Sequence, residues 1–140
     1  MIELGSATVR STVVTCPRTW GDGTTVGQAR AAFRDDHLHM LLLTAGDLLL
    51  GTVVRADLVG ASADDLVTSR AVLDGRTVAQ EAVAEDVRRS MVRRGQRRVA
   101  VVDDAGRLIG LLCLKRHGGG FCRDEDVAAR RQDRLTADVA

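Results

Sequence analysis

Residues 35–58 read DDHLHMLLLTAGDLLLGTVVRADL. Two apolar runs, Met40 to Leu43 and Leu48 to Val54, are separated by Thr44, Ala45, Gly46 and Asp47, a set suited to a tight turn. Each run is strand length, so the stretch predicts a β-hairpin. About 59 residues further on the pattern returns as Val99 to Val102, then Asp103, Asp104, Ala105 and Gly106, then Leu108 to Leu114. The chain is therefore a tandem repeat of one unit, and a fold with internal pseudo-symmetry is expected.

Around the first hairpin, Arg18, Thr19 and Trp20 after the single proline suit a short extended segment, and Gly21 to Gly23 suit a turn. Thr24 or Thr25 offers a hydroxyl N-cap to a helix whose apolar face is Val26, Ala29 and Phe33. After Gly51 the chain runs through Val54 into a short helix near Arg55 and Asp57. In the second repeat, Val83 or Ala84, Val87 and Met91 give a helix that fades near Gly95. The expected organisation is a lead-in over 1–12, a first unit over 13–60, a small, polar linker over 61–69, a second unit over 70–117 and a tail over 118–140, its charged part helical.

At 140 residues the chain holds one sizeable core, which two half-size units must share, because units of ~55 to 60 residues alone are marginal. The residues are 45% hydrophobic and 28% charged, outside the disordered class. A formal net charge of +1 gives no general argument for nucleic acid or an acidic membrane, and Trp20, Phe33 and Phe121 are too few aromatics for a base-stacking platform. Cys16, Cys113 and Cys122 lack metal or disulfide-framework spacing. With no signal-peptide pattern and no membrane-length apolar run, a cytoplasmic protein is expected.

The T-T-V start at Thr24 to Val26, the strand–turn–strand hairpin and the endings GTVVRADL (51–58) and GLLCLKRH (110–117) resemble the tandem cystathionine β-synthase (CBS) domain pair, or Bateman module, over roughly Val13 to His117. The first unit is the clearer match. The resemblance implies an α/β (α+β) fold of two pseudo-symmetric β-α-β-β-α units packed together. It also implies a non-catalytic regulatory module, commonly a homodimer, that holds AMP, ATP or S-adenosylmethionine in the cleft between units, with no required cofactor. Carried over residue by residue, Asp57 takes the ribose hydroxyls, and Val54 stands where a hydroxyl side chain is usual. Thr19, Trp20, Met40 and Leu41 line the base pocket, and His39, Arg97 and Arg98 meet phosphate. In the second unit the motif positions are Cys113 and Arg116, so at most one adenosine site per chain is expected.

Other readings compete. Asp57 can simply cap the short helix that follows Val54. A degenerate pair with an empty cleft would serve dimerisation or protein docking, through apolar helix faces built on Val26, Ala29, Val83, Val87 and Met91. His37 and His39 with Asp35 and Asp36 do not supply four convergent metal ligands. The arginines from Arg88 to Arg94 read as a solvated helix face. His117 to Gly120 resembles an esterase oxyanion loop, but without a G-x-S-x-G turn it reads as a flexible linker. No nucleophile and base pair stands out, so no enzyme is expected.

Overall fold

The computed structural model describes residues 7–14 and 17–122. Strand β1 (Trp20–Gly21) leads to helix α1 (Val26–Ala32), strands β2 (Leu41–Ala45) and β3 (Leu48–Val53), and a 3-10 turn, Arg55–Leu58. The order then recurs as β4 (Thr77–Ala79), α2 (Ala84–Arg94), β5 (Arg98–Val102) and β6 (Leu108–Cys113). Each sheet has three strands, with the first parallel to the second and the second antiparallel to the third. Even the irregularity repeats, since the hairpin register slips between Leu43 and Thr44 and again between Val101 and Val102. The mixed α+β architecture of two like units is as expected.

Local chemistry explains the elements. Thr25 accepts from Gln28 N–H at 3.1 Å, and the Gln28 side chain accepts from Thr25 N–H at 2.9 Å, a complete capping box. At the equivalent place in the second unit stands Val83, which makes no side-chain cap. There Glu85 and Asp86 in the first turn, Arg93 and Arg94 in the last, and Gly95 at φ +69° define the helix instead.

The two units are tied in a symmetric way. Leu49 N–H donates to Gly106 carbonyl at 3.0 Å and Leu108 N–H to Asp47 carbonyl at 2.8 Å, on either side of a Leu48–Arg107 bridge. A pseudo-twofold axis passes through that bridge. Met40, Leu42, Leu49 and Ala100 form the buried layer between the sheets, with Val54, Val102, Leu108 and Leu111 packed on it.

Connecting segments complete the neighbouring repeat. Val72 exchanges both backbone hydrogen bonds with Thr52 of β3 (2.9 and 2.8 Å), while Val67 and Ala61 join the core of the first unit. Val14 does the same with Leu111 of β6 (2.9 and 3.1 Å), and Val9 and Val13 join the core of the second. These crossings explain the motif glycines. A methyl added at Gly51 would stand 2.5 Å from Ala71 Cβ, and one at Gly110 would stand 2.7 Å from Val14 carbonyl oxygen.

Several expectations need correction. The short helix closing the first unit is a four-residue 3-10 turn, and after β6 the described chain turns without forming a helix. The helix faces offered as a docking surface are interior: Val26, Ala29, Val87 and Met91 are buried and Val83 is half-buried, because they cover the sheets. The exposed large apolar side chains are Leu48, Val59, Leu66, Leu73 and Val92. Nor is the glycine stretch after His117 an open linker. Lys115 N–H donates to Gly120 carbonyl and Arg88 to Gly118 carbonyl, both at 2.8 Å, and Leu114 bridges Phe121. The charged tail read as helical and Cys16 lie outside the described residues.

Candidate functional site

Asp57 sits in the 3-10 turn that follows β3, and its carboxylate is fully engaged. Oδ2 accepts from Val54 N–H at 2.8 Å and from Arg76 at 2.5 Å, while Oδ1 accepts from the other Arg76 nitrogen at 3.0 Å. The guanidinium thus meets the carboxylate as a fork, with both side chains mostly buried. Burial pushes the Asp57 carboxyl up, but the hydrogen bonds from Arg76 and Val54 N–H outweigh it and hold the pKa below the usual carboxylate value. Arg76 immediately precedes β4, so this ion pair joins the end of the first unit to the start of the second.

The pseudo-twofold decides which predicted residues meet. In register, Trp20 of β1 opposite Leu43 corresponds to Val78 of β4 opposite Val101. Thr19 then corresponds to Thr77, and Arg18 to Arg76. Asp57 therefore lies against the start of β4. Thr19 lies instead beside β6, lining a cavity of about 190 Å³ with Pro17, Asp47, Leu108 and Ile109. The structure places Thr19 and Asp57 on opposite sides of the interface between units. Trp20 packs into the core of the first unit, with the Arg18 guanidinium 4.6 Å from its ring centre. Leu41 is wholly buried in that core, and Met40 belongs to the layer between sheets, against which half-buried Val54 packs.

His39 and Arg97 stand one residue before the equivalent positions Met40 and Arg98, and Arg97 is among the charges that act on His39. The His39 pKa is lowered to about 4, first by burial and then by the charges of Arg98, Arg97 and Arg55. Each arginine is steered by carbonyls: Arg97 Nε donates to Leu114 at 3.2 Å, Arg98 to Arg97 at 3.0 Å, and Arg55 to Phe33 and Asp35 at 2.9 Å. Arg55 also stacks over the Phe33 ring at 4.9 Å. The charges of three guanidiniums thus reach one half-buried imidazole and make its surroundings positive.

Sequence reasoning missed Arg76 and Arg55. The only available signal for Arg76 was its equivalence to Arg18 in the repeat, and nothing in spacing pointed it at Asp57. Arg55 adjoins the motif, but its reach back to Phe33 depends on the fold.

Residues 63–116 match the family model described as CBS domain, which falls on the second unit and not on the first, where the motif is more complete. No curated protein matches. Among solved structures, the CBS pair domain of a candidate Mg2+ transporter from Shewanella oneidensis MR-1 is 25% identical, with a TM-score of 0.62 over 73% of this chain and 65% of that one. A CBS domain pair/ACT domain protein from Thermotoga maritima is 18% identical, with a TM-score of 0.64 over 80% and 92%. The cytosolic domain of the Mg2+ channel MgtE in complex with ATP is 22% identical, with a TM-score of 0.58 over 73% and 44%. The chain thus spans just under two thirds of the first of these proteins and less than half of the last.

Proposed function

Because residues 63–116 are a CBS domain and the chain folds as a CBS pair, we propose that it is a non-catalytic regulatory module. In this reading it takes up an anion, such as the phosphate of an adenosine nucleotide, between its two units. The observation that carries this is that the charges of Arg98, Arg97 and Arg55 act on half-buried His39, which directly precedes Met40 of the layer between sheets, while Arg98 opens β5, whose Ala100 lies in the same layer. A phosphate there gains charge-assisted hydrogen bonds from arginine and relieves repulsion among the cations. MgtE supports nucleotide binding by analogy of fold alone. Signalling requires only that the anion favour one arrangement of the two units, shifting their population by its difference in affinity. The module works in the cytoplasm as a homodimer, which sedimentation equilibrium tests.

A second reading has its own observation. Arg76 occupies the carboxylate of Asp57 that would otherwise hold a ribose. A cleft closed by its own side chains suits a module that docks a protein partner without a nucleotide.

Calorimetry with AMP, ATP, S-adenosylmethionine and inorganic triphosphate separates the readings. Anion sensing predicts that ATP and triphosphate bind, and that Arg97→Ala weakens both roughly tenfold or more, about 1.4 kcal/mol at least. If Arg76→Ala improves ATP but not triphosphate, Asp57 has been released to the ribose. No heat with any of the four would sink the sensor and leave docking.

A further inference from the structure

A groove of about 370 Å³ runs between α2 and β4. Val78, Val87, Met91 and Val99 form its apolar wall, and Ser90 and Arg94 stand among its polar lining. It belongs to the second unit alone and is separate from the cleft between units, so it does not depend on the function proposed above. Its volume falls within the range of small-molecule pockets, ~300 to 1,000 Å³.

The first unit shows what this space accommodates. Register makes Trp20 the counterpart of Val78, and the helix positions make Phe33 the counterpart of Met91. In the first unit both rings pack against the core beneath α1. The second unit keeps the same backbone frame but puts an isopropyl group and a thioether chain where an indole and a phenyl ring would be. A ring-sized space is left beside α2.

Its polar ends are unequal. Arg94 closes the α2 C-terminal end, is exposed, and forms no ion pair among the described residues. Asp86 lines the other end, eight residues or about 12 Å along the helix. An anionic group is attracted to the first end and repelled from the second.

We propose that the α2–β4 groove is a second ligand site, for a small aromatic monocarboxylate whose ring replaces the missing indole and whose carboxylate meets Arg94. Methyl-resolved NMR titration with indole-3-acetate, using indole as the uncharged probe, tests it. Indole-3-acetate should shift the methyl signals of Val78, Val87 and Met91 and bind several-fold more tightly than indole. Arg94→Ala should erase that difference. Val78→Trp, which restores the ring of the first unit, should abolish both interactions, and Ser90→Phe fills the groove from the helix side should the sheet reject a tryptophan. No shift at millimolar probe, shifts at Leu42 and Val54 instead, or unchanged binding in a folded filled variant would overturn the proposal.

Discussion

A single imidazole reports how the interface between units is charged. His39 is held at about 4 by burial and by Arg98, Arg97 and Arg55, against an ordinary 6.5. Between those values the unfolded chain binds a proton that the folded one does not, so stability falls as pH drops from about 6.5 towards 4 and is flat above. Asp57, Asp103 and Glu85, all held below the usual carboxylate values, lose their contributions only as pH falls through the ordinary carboxylate range, leaving the part of this window above about pH 5 to His39. Urea unfolding at pH 4.5, 5.5 and 7 should show His39→Gln flattening the dependence. An equal slope in both proteins would show that His39 is not responsible. A bound anion reverses the imbalance by favouring the imidazolium. Nucleotide binding at pH 5.5 should therefore take up protons, seen as a calorimetric heat that varies with the ionisation enthalpy of the buffer.

The two helices are built on one plan with different ends, and the difference is measurable. Thr25 closes a capping box that Val83 cannot form. Thr25→Ala should cost about 1 kcal/mol, and Val83→Thr should stabilise by a similar or smaller amount. Chemical denaturation reads both, and equal and negligible shifts would show that the ends are held by the backbone bridges made to them, Thr25 to Leu66 and Val83 to Thr8. The elements were legible for the same local reasons. Apolar runs flanking Gly46 and Gly106 announced the hairpins, and Val26, Ala29 and Phe33 announced α1. What local pattern could not show was partnership. Trp20 beside Thr19 in sequence packs against the core while Thr19 lines the cavity beside β6, because successive residues of extended chain alternate sides. Asp57 looked open because its partner, Arg76, lies 19 residues away and reaches it only when the pseudo-twofold is assembled.

At the scale of the molecule, the repeat was visible but the interlocking of its halves was not. Residues 7–14 finish the second unit and the stretch around Val67 and Val72 finishes the first, so each sheet depends on chain that its own hairpin does not supply. The shared layer of Met40, Leu42, Leu49 and Ala100 adds a contact that neither unit can bury alone. Such a molecule should unfold as one. Trp20, the single tryptophan, lies in the first unit, so its fluorescence reports that half, while far-UV circular dichroism reports both. Val101 is fully buried in the second unit. Removing two of its carbons in Val101→Ala should cost roughly 2 kcal/mol, near the lower end of large-to-small core substitutions. If the halves are coupled, that loss must appear in full at Trp20, with fluorescence and circular dichroism midpoints moving together to lower urea. If the tryptophan transition stays in place while the circular dichroism transition splits, the units fold independently. The population shift proposed for anion binding would then lack its mechanical basis, because a change felt by one half would have no route to the other.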